Sequence, residues 1–179
     1  HRVELGRGDE CGDEGGGVMA DILDAACGGR MWWYDKEHDN AIYVDRRTKP
    51  KGHISHQPNH AVTPDYLMDF TDLQFEDESF HLVLFDPPHI IRGPKSDNSN
   101  MVKCYGRLDE NWEDTISRGF NECWRVVKPK GTVIFKWNES SISLKSVLDL
   151  LPVQPIVGSR PGGRRLDKTH YLVFFKEDE

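Results

Sequence analysis

The run Phe80-His81-Leu82-Val83-Leu84-Phe85 stops at Asp86-Pro87-Pro88. Five of its six residues are apolar, so as a strand it carries hydrophobic side chains on both faces and needs a sheet that is covered on both sides. Proline cannot donate to a β-ladder and denies the preceding residue helical geometry, so the strand ends at the acid and the chain turns there. A buried strand that delivers a carboxylate at its C-terminal end is the element around which the rest must be arranged.

Other segments read as companions. Ile22 to Ala25 is a short strand running into a glycine turn, Ala41 to Asp45 a second strand ending in an acid, and Tyr66 to Met68 a weaker third. Trp112, Ile116, Phe120, Cys123, Trp124 and Val127 share one face of a helix that Lys128-Pro129-Lys130-Gly131 is expected to end. Thr132 to Trp137 is a fifth strand, Ser143 caps a helix carrying Leu144, Val147, Leu148 and Leu151, and Gln154 to Val157 and His170 to Phe175 complete seven strands. The fold class is α/β: a Rossmann-like, doubly wound, mostly parallel seven-stranded sheet with an antiparallel edge. From Arg30 to Asn40 only eleven residues remain for the first crossover, so the first helix must be short or irregular.

With 179 residues the chain has room for one domain, taken as 19–179, and none for a separate recognition domain. Residues 1–18 are rich in Gly, Asp and Glu and read as a disordered or vector-derived tail. The longest apolar runs are too short for a bilayer, no targeting pattern opens the chain, and Cys11, Cys27, Cys104 and Cys123 show no paired spacing. A cytoplasmic protein with reduced thiols is the expectation, with no membrane contact.

A net charge of −7 argues against a broad nucleic-acid-binding face. Basic residues nevertheless cluster at Arg46-Arg47 with Lys49 and Lys51, at Arg92, Lys95, Lys103 and Arg107, and at Arg160, Arg164, Arg165 and Lys168. Such clusters ordinarily form solvated surface, with phosphate contact as the alternative. His53, His56 and His60 lie in a Pro/Gly-rich loop without carboxylate or thiolate partners at metal-site spacing, so no metal is expected. Cys27, in a tight glycine turn, reads as packing rather than as a nucleophile.

Ligands of open parallel sheets bind beyond the C-terminal strand ends, near the point where strand order reverses. Asp24 with Cys27-Gly28-Gly29, then Asp45, Asp69 and Asp86, each fall at or just after such an end. Glycines admit a ligand close to the backbone, and an acid ending the second strand suits the hydroxyls of a ribose.

In these residues the chain resembles the class I S-adenosylmethionine-dependent methyltransferases, specifically those whose fourth strand ends in Asp/Asn-Pro-Pro-aromatic. The resemblance runs from about Asp21 to Phe175. It implies S-adenosyl-L-methionine as cofactor, its methionine end held by Asp24 and the backbone of Ala25, Ala26, Cys27 and Gly28, its ribose by Asp45 and its adenine by Asp69 and Phe70. Asp86 and the Pro87 carbonyl would hold the substrate amino group. His89 stands where that family usually has Tyr, Phe or Trp, and Arg30 replaces the last glycine of the first motif.

The resemblance also implies the chemistry. A conjugated amino group is a poor nucleophile, and acceptors at both of its hydrogens favour pyramidal nitrogen and stabilise the charge that develops as the methyl transfers. The acceptor would be adenine N6, cytosine N4, guanine N2 or a glutamine amide, with RNA or DNA favoured over protein. The polar stretch Ile90 to Asp109 would be a mobile substrate loop, and a helper subunit or homodimer would supply recognition. Lys136, Trp137 and Asn138, ending the fifth strand, are further candidates for substrate contact. For Trp32-Trp33-Tyr34, filling of the core is weighed against a stacking surface. A non-catalytic cofactor- or nucleic-acid-binding module and a nicotinamide-dependent oxidoreductase are the competing classes.

Overall fold

A computed structural model describes residues 20–91, 98–158 and 169–178. The tail assigned to residues 1–18, the centre of the Ile90 to Asp109 stretch with Arg92 and Lys95, and the basic cluster from Arg160 to Lys168 lie outside the described residues. Seven strands form one sheet: β1 (Ile22–Asp24), β2 (Ala41–Asp45), β3 (Tyr66–Leu67), β4 (Phe80–Phe85), β5 (Val127–Asn138), β6 (Val157–Gly158) and β7 (Thr169–Phe175), in the order β3-β2-β1-β4-β5-β7-β6. The pairs from β3 through to β5 are parallel. β7 runs antiparallel between β5 and the two-residue edge strand β6, so the antiparallel pairing expected at this side lies one strand in from the rim.

Alternation along the strands divides the core. Val83, Phe85, Val133, Phe135, Trp137, Leu172 and Phe174 point to one face and are buried together with Leu144 and Val147 of α3 (Leu144–Leu148) and with α2 (Trp112–Val126). Ile116, Gly119, Phe120, Cys123 and Val126 form the buried stripe of α2. A Cβ on Gly119 would lie 2.5 Å from Phe70 and 2.9 Å from Phe85, so the glycine is what lets the helix lie this close to the sheet.

The opposite face departs from a fully wound sheet. Among the described residues the first three crossovers contain turns and no helix, so the short first helix allowed by the sequence is absent. In its place Trp33 stacks edge-on against Tyr43 at 5.0 Å, and Trp32 packs against Tyr171 at 5.6 Å. Arg30 secures this crossover: it adopts φ +52°, lies 3.6 Å above the Tyr43 ring, and bonds the carbonyls of Lys36 and Thr63. The residue replacing a glycine thus accepts the left-handed conformation and offsets its strain with buried guanidinium contacts.

Several boundaries differ from the sequence reading: the strand expected at Gln154 to Val157 is Val157–Gly158, and the helix expected to carry Leu151 ends at Leu148. Helix α2 ends at Val126 and β5 begins at once, because Lys128-Pro129-Lys130-Gly131 forms a bulge between the pairs Phe80↔Val127 and Leu82↔Thr132. The Lys176 ammonium donates to the carbonyls of Trp124 and Val127, satisfying the helix end that this abrupt transition leaves open. Within the stretch expected to be a mobile loop, Ser99 caps a helix, α1 (Asn100–Tyr105), by accepting from the Val102 amide.

Candidate functional site

Strand order reverses between β1 and β4, and a cleft opens there beyond their C-terminal ends. The two-residue period explains its composition. Register pairs Asp24 with Tyr43 and with Leu84, and Phe85 with Phe135, so Asp24, Asp45, Asp86 and Lys136 share the face opposite to α2. The cleft brings together Asp24, Ala25, Ala26, Cys27, Gly28, Asp45, Phe70, Asp86, Pro87, His89 and Lys136 of the residues singled out in the sequence.

Three do not line it. Asp69 accepts from the Thr71 amide and hydroxyl and lies 3.5 Å from Arg46. Trp137 is fully buried on the helix-covered face, where its indole donates to the Ile142 carbonyl, and so it is a core residue rather than a substrate contact. Asn138 donates to the Thr169 hydroxyl across the β5–β7 pair. The alternation Val133, Phe135, Trp137 against Thr132, Ile134, Lys136 was the signal that separates Lys136 from Trp137.

One side of the cleft is made by the turn after β1. Gly28 has φ +49° and its amide donates to Asp45 Oδ2 at 3.0 Å. His60 packs on Gly29 so closely that a Cβ there would be 2.5 Å from Nε2, and His60 Nδ1 is buried without a partner. Burial and the neighbouring His53 push its imidazole below the usual histidine value. Burial raises the Asp24 carboxyl to about 7, against the hydrogen bonds it accepts from Trp33 Nε1 at 2.7 Å and the Ala26 amide at 3.3 Å. Burial likewise drives the Cys27 thiol far above its ordinary value, which makes it inert packing.

The other side is built around Asp86. Lys136 Nζ donates to Asp86 Oδ2 at 2.6 Å, and Oδ1 receives no hydrogen bond from the described residues. Burial raises the Asp86 carboxyl while the Lys136 charge opposes the rise. The same two influences, burial first, lower the His89 imidazole, which is therefore mostly neutral at pH 7. His89 lies 6.2 Å from the Tyr105 ring, and the Trp32 ring lies 5.5 Å from Lys136 Nζ, so three aromatic side chains border this end. Tyr105 was not singled out in the sequence and reaches the cleft through the tertiary path of its loop; Arg47 was read there only as part of a basic cluster, and its position two residues after Asp45 is what brings it to the cleft.

No protein-family model matches the chain, and no curated protein matches it in sequence. Its fold is shared with solved structures. An rRNA methylase from Streptococcus thermophilus superposes with a TM-score of 0.53 at 11% identity, covering 90% of this chain and 91% of that one. The PH0226 protein from Pyrococcus horikoshii OT3 gives 0.51 at 15% identity over 87% and 81%. The N-methyltransferase NodS from Bradyrhizobium japonicum WM9 gives 0.50 at 10% identity over 89% and 86%. The chain shares the Rossmann-like sheet architecture of these structures, among them the rRNA methylase and the N-methyltransferase.

Proposed function

We propose that this chain is an S-adenosylmethionine-dependent N-methyltransferase whose acceptor is a planar amino nitrogen, specifically the exocyclic amino group of adenine (N6) or cytosine (N4) in DNA or RNA. The observation that carries this reading is the Asp86 carboxylate at the switch point of the sheet, with one oxygen free and aromatic rings beside it. The glycine turn fits the cofactor. At Gly28 a Cβ would meet nothing nearer than the Arg47 guanidinium at 4.0 Å, so the backbone is open to a ligand there, and Asp45 ends β2 across from it. Asp24 and the backbone from Ala25 to Gly28 would hold the methionine end, Asp45 the ribose and Phe70 the adenine. Bound there, the cofactor supplies an electrophilic sulfonium methyl.

The chain's own residues do the rest. Asp86 Oδ1 accepts one amino hydrogen and the Pro87 carbonyl the other, which orients the nitrogen lone pair and stabilises charge developing on it. The two prolines hold these acceptors rigidly before the substrate arrives. A carboxyl raised by burial is also suited to take the departing proton. His89, mostly neutral, offers a flat face to the base without adding positive charge where positive charge forms. RNA or DNA with an accessible base would be the partner, assisted by a helper subunit or a second copy.

One contact favours the non-catalytic alternative: Arg47 already occupies Asp45. Calorimetric titration of S-adenosylmethionine and its demethylated product into the parent and Asp45→Ala, followed by transfer of labelled methyl to RNA and DNA with Asp86→Ala as control, tests the proposal. Cofactor binding without any transfer selects the non-catalytic cofactor-binding module, and no cofactor binding removes the methyltransferase and leaves the nucleic-acid-binding module.

A further inference from the structure

Asp86 is not alone at its position. In parallel strands with Phe85 opposite Phe135, the next residues of the two strands also lie side by side, which brings Lys136 to Asp86. The ammonium contacts Oδ2 at 2.6 Å and Trp32 lies 5.5 Å from it, so its place in the cleft is fixed from two sides. Only one of its three N–H donors is used in hydrogen bonding with the described residues. The cleft therefore presents an acceptor, Asp86 Oδ1, beside a donor, Lys136 Nζ.

We infer that Lys136 is a specificity-determining residue that reads the ring nitrogen next to the amino group held by Asp86. This inference rests on the methyltransferase reading above. An exocyclic amino group conjugated to a ring nitrogen offers a donor beside an acceptor, the complement of the Asp86–Lys136 pair; adenine (N6 with N1 or N7) and cytosine (N4 with N3) both have this edge. An amino group flanked by ring C–H instead leaves an ammonium hydrogen stripped of water with no partner. Trp32, His89 and Tyr105 border the pair with aromatic rings, which suits a flat heterocycle better than an aliphatic amide.

The pair also sets a limit on the chemistry. An ammonium on Oδ2 weakens the field that the carboxylate directs at a developing cation. Recognition by Lys136 thus comes at a cost to the chemical step, and its removal should affect discrimination more than turnover.

The test is methyl transfer by the full chain to oligonucleotides carrying adenine, 1-deazaadenine or 7-deazaadenine, and cytosine or 3-deazacytosine, with anisotropy binding of the same oligonucleotides without cofactor. For the parent, kcat/KM and affinity should fall about tenfold or more on the analogue lacking the ring nitrogen that is read. Lys136→Met should bring natural base and analogue within about twofold of one another. A parent that treats both alike, or a Lys136→Met protein that still discriminates, overturns the inference while leaving the methyltransferase reading intact. A parent that binds cofactor but methylates none of these bases overturns both. The comparison within the parent needs no variant, so misfolding of Lys136→Met cannot obscure it.

Discussion

Arg47 grips the carboxylate of Asp45 from within its own turn: Nε lies 3.0 Å from Oδ1 and Nη2 lies 3.2 Å from Oδ2, while the Arg47 amide donates to Oδ1 at 2.9 Å. The same guanidinium reaches Gly28 and Gly106 across the cleft. With the Gly28 amide also on Oδ2, the carboxylate proposed to bind ribose is saturated before any ligand arrives. Ribose hydroxyls must therefore displace the guanidinium.

A first prediction follows from that competition. Arg47→Ala removes one hydrogen bond from each oxygen and leaves the two backbone amides in place; a charge-assisted pair is worth about 1.5–3 kcal/mol, so cofactor affinity should rise by about tenfold or more in calorimetry. Weaker binding would mean that Arg47 itself holds part of the ligand.

The Asp24 carboxyl makes stability depend on pH. Its folded value of about 7 lies above the ordinary 3.8, so between these values the folded state binds more protons than the unfolded state. Stability from this group is full below about pH 4 and is lost as pH rises towards 7 and beyond. Asp24→Asn should therefore unfold at higher urea relative to the parent at pH 8 than at pH 5. Equal differences at both pH values would refute the assignment.

Trp33→Phe keeps a ring against Tyr43 but removes the donor to Asp24. The lost bond is one to a partly ionised, buried acceptor, and about 1–3 kcal/mol of stability should go with it. Because the indole favours the charged form, the loss should be larger at pH 8 than at pH 5 in the same urea titration.

Gly119→Ala places a methyl 2.5 Å from one edge of Phe70 and 2.9 Å from Phe85. Neither ring can yield freely, since they pack on each other at 5.3 Å between centroids, so a cost of about 1–3 kcal/mol is expected in thermal or urea unfolding. Phe70 lines the cleft, and its displacement should also weaken cofactor binding. Normal stability with weakened binding would separate the two effects against this account.

Much of the sheet and of the site could be read locally. The apolar run before Asp86-Pro87-Pro88, the acid ending β2 and the glycine turn after β1 are each specified within a few residues, and the cleft collects them as neighbours. Helices were read less well. The stop expected at Lys128-Pro129-Lys130-Gly131 became a bulge because the strand partner β4 extends back to Phe80, which a local pattern does not contain.

What the sequence determined by itself was the kind of each element and which end of each strand carries an acid, because backbone preferences, proline and two-residue alternation act over short distances. What only the tertiary structure decided was which side chains meet. Register set Lys136 on Asp86 and left Trp137 in the core, and an irregular crossover brought Trp33 to Asp24. Those pairings join residues 50 and 9 positions apart, and they arise from how strands align and pack, a property of the whole sheet.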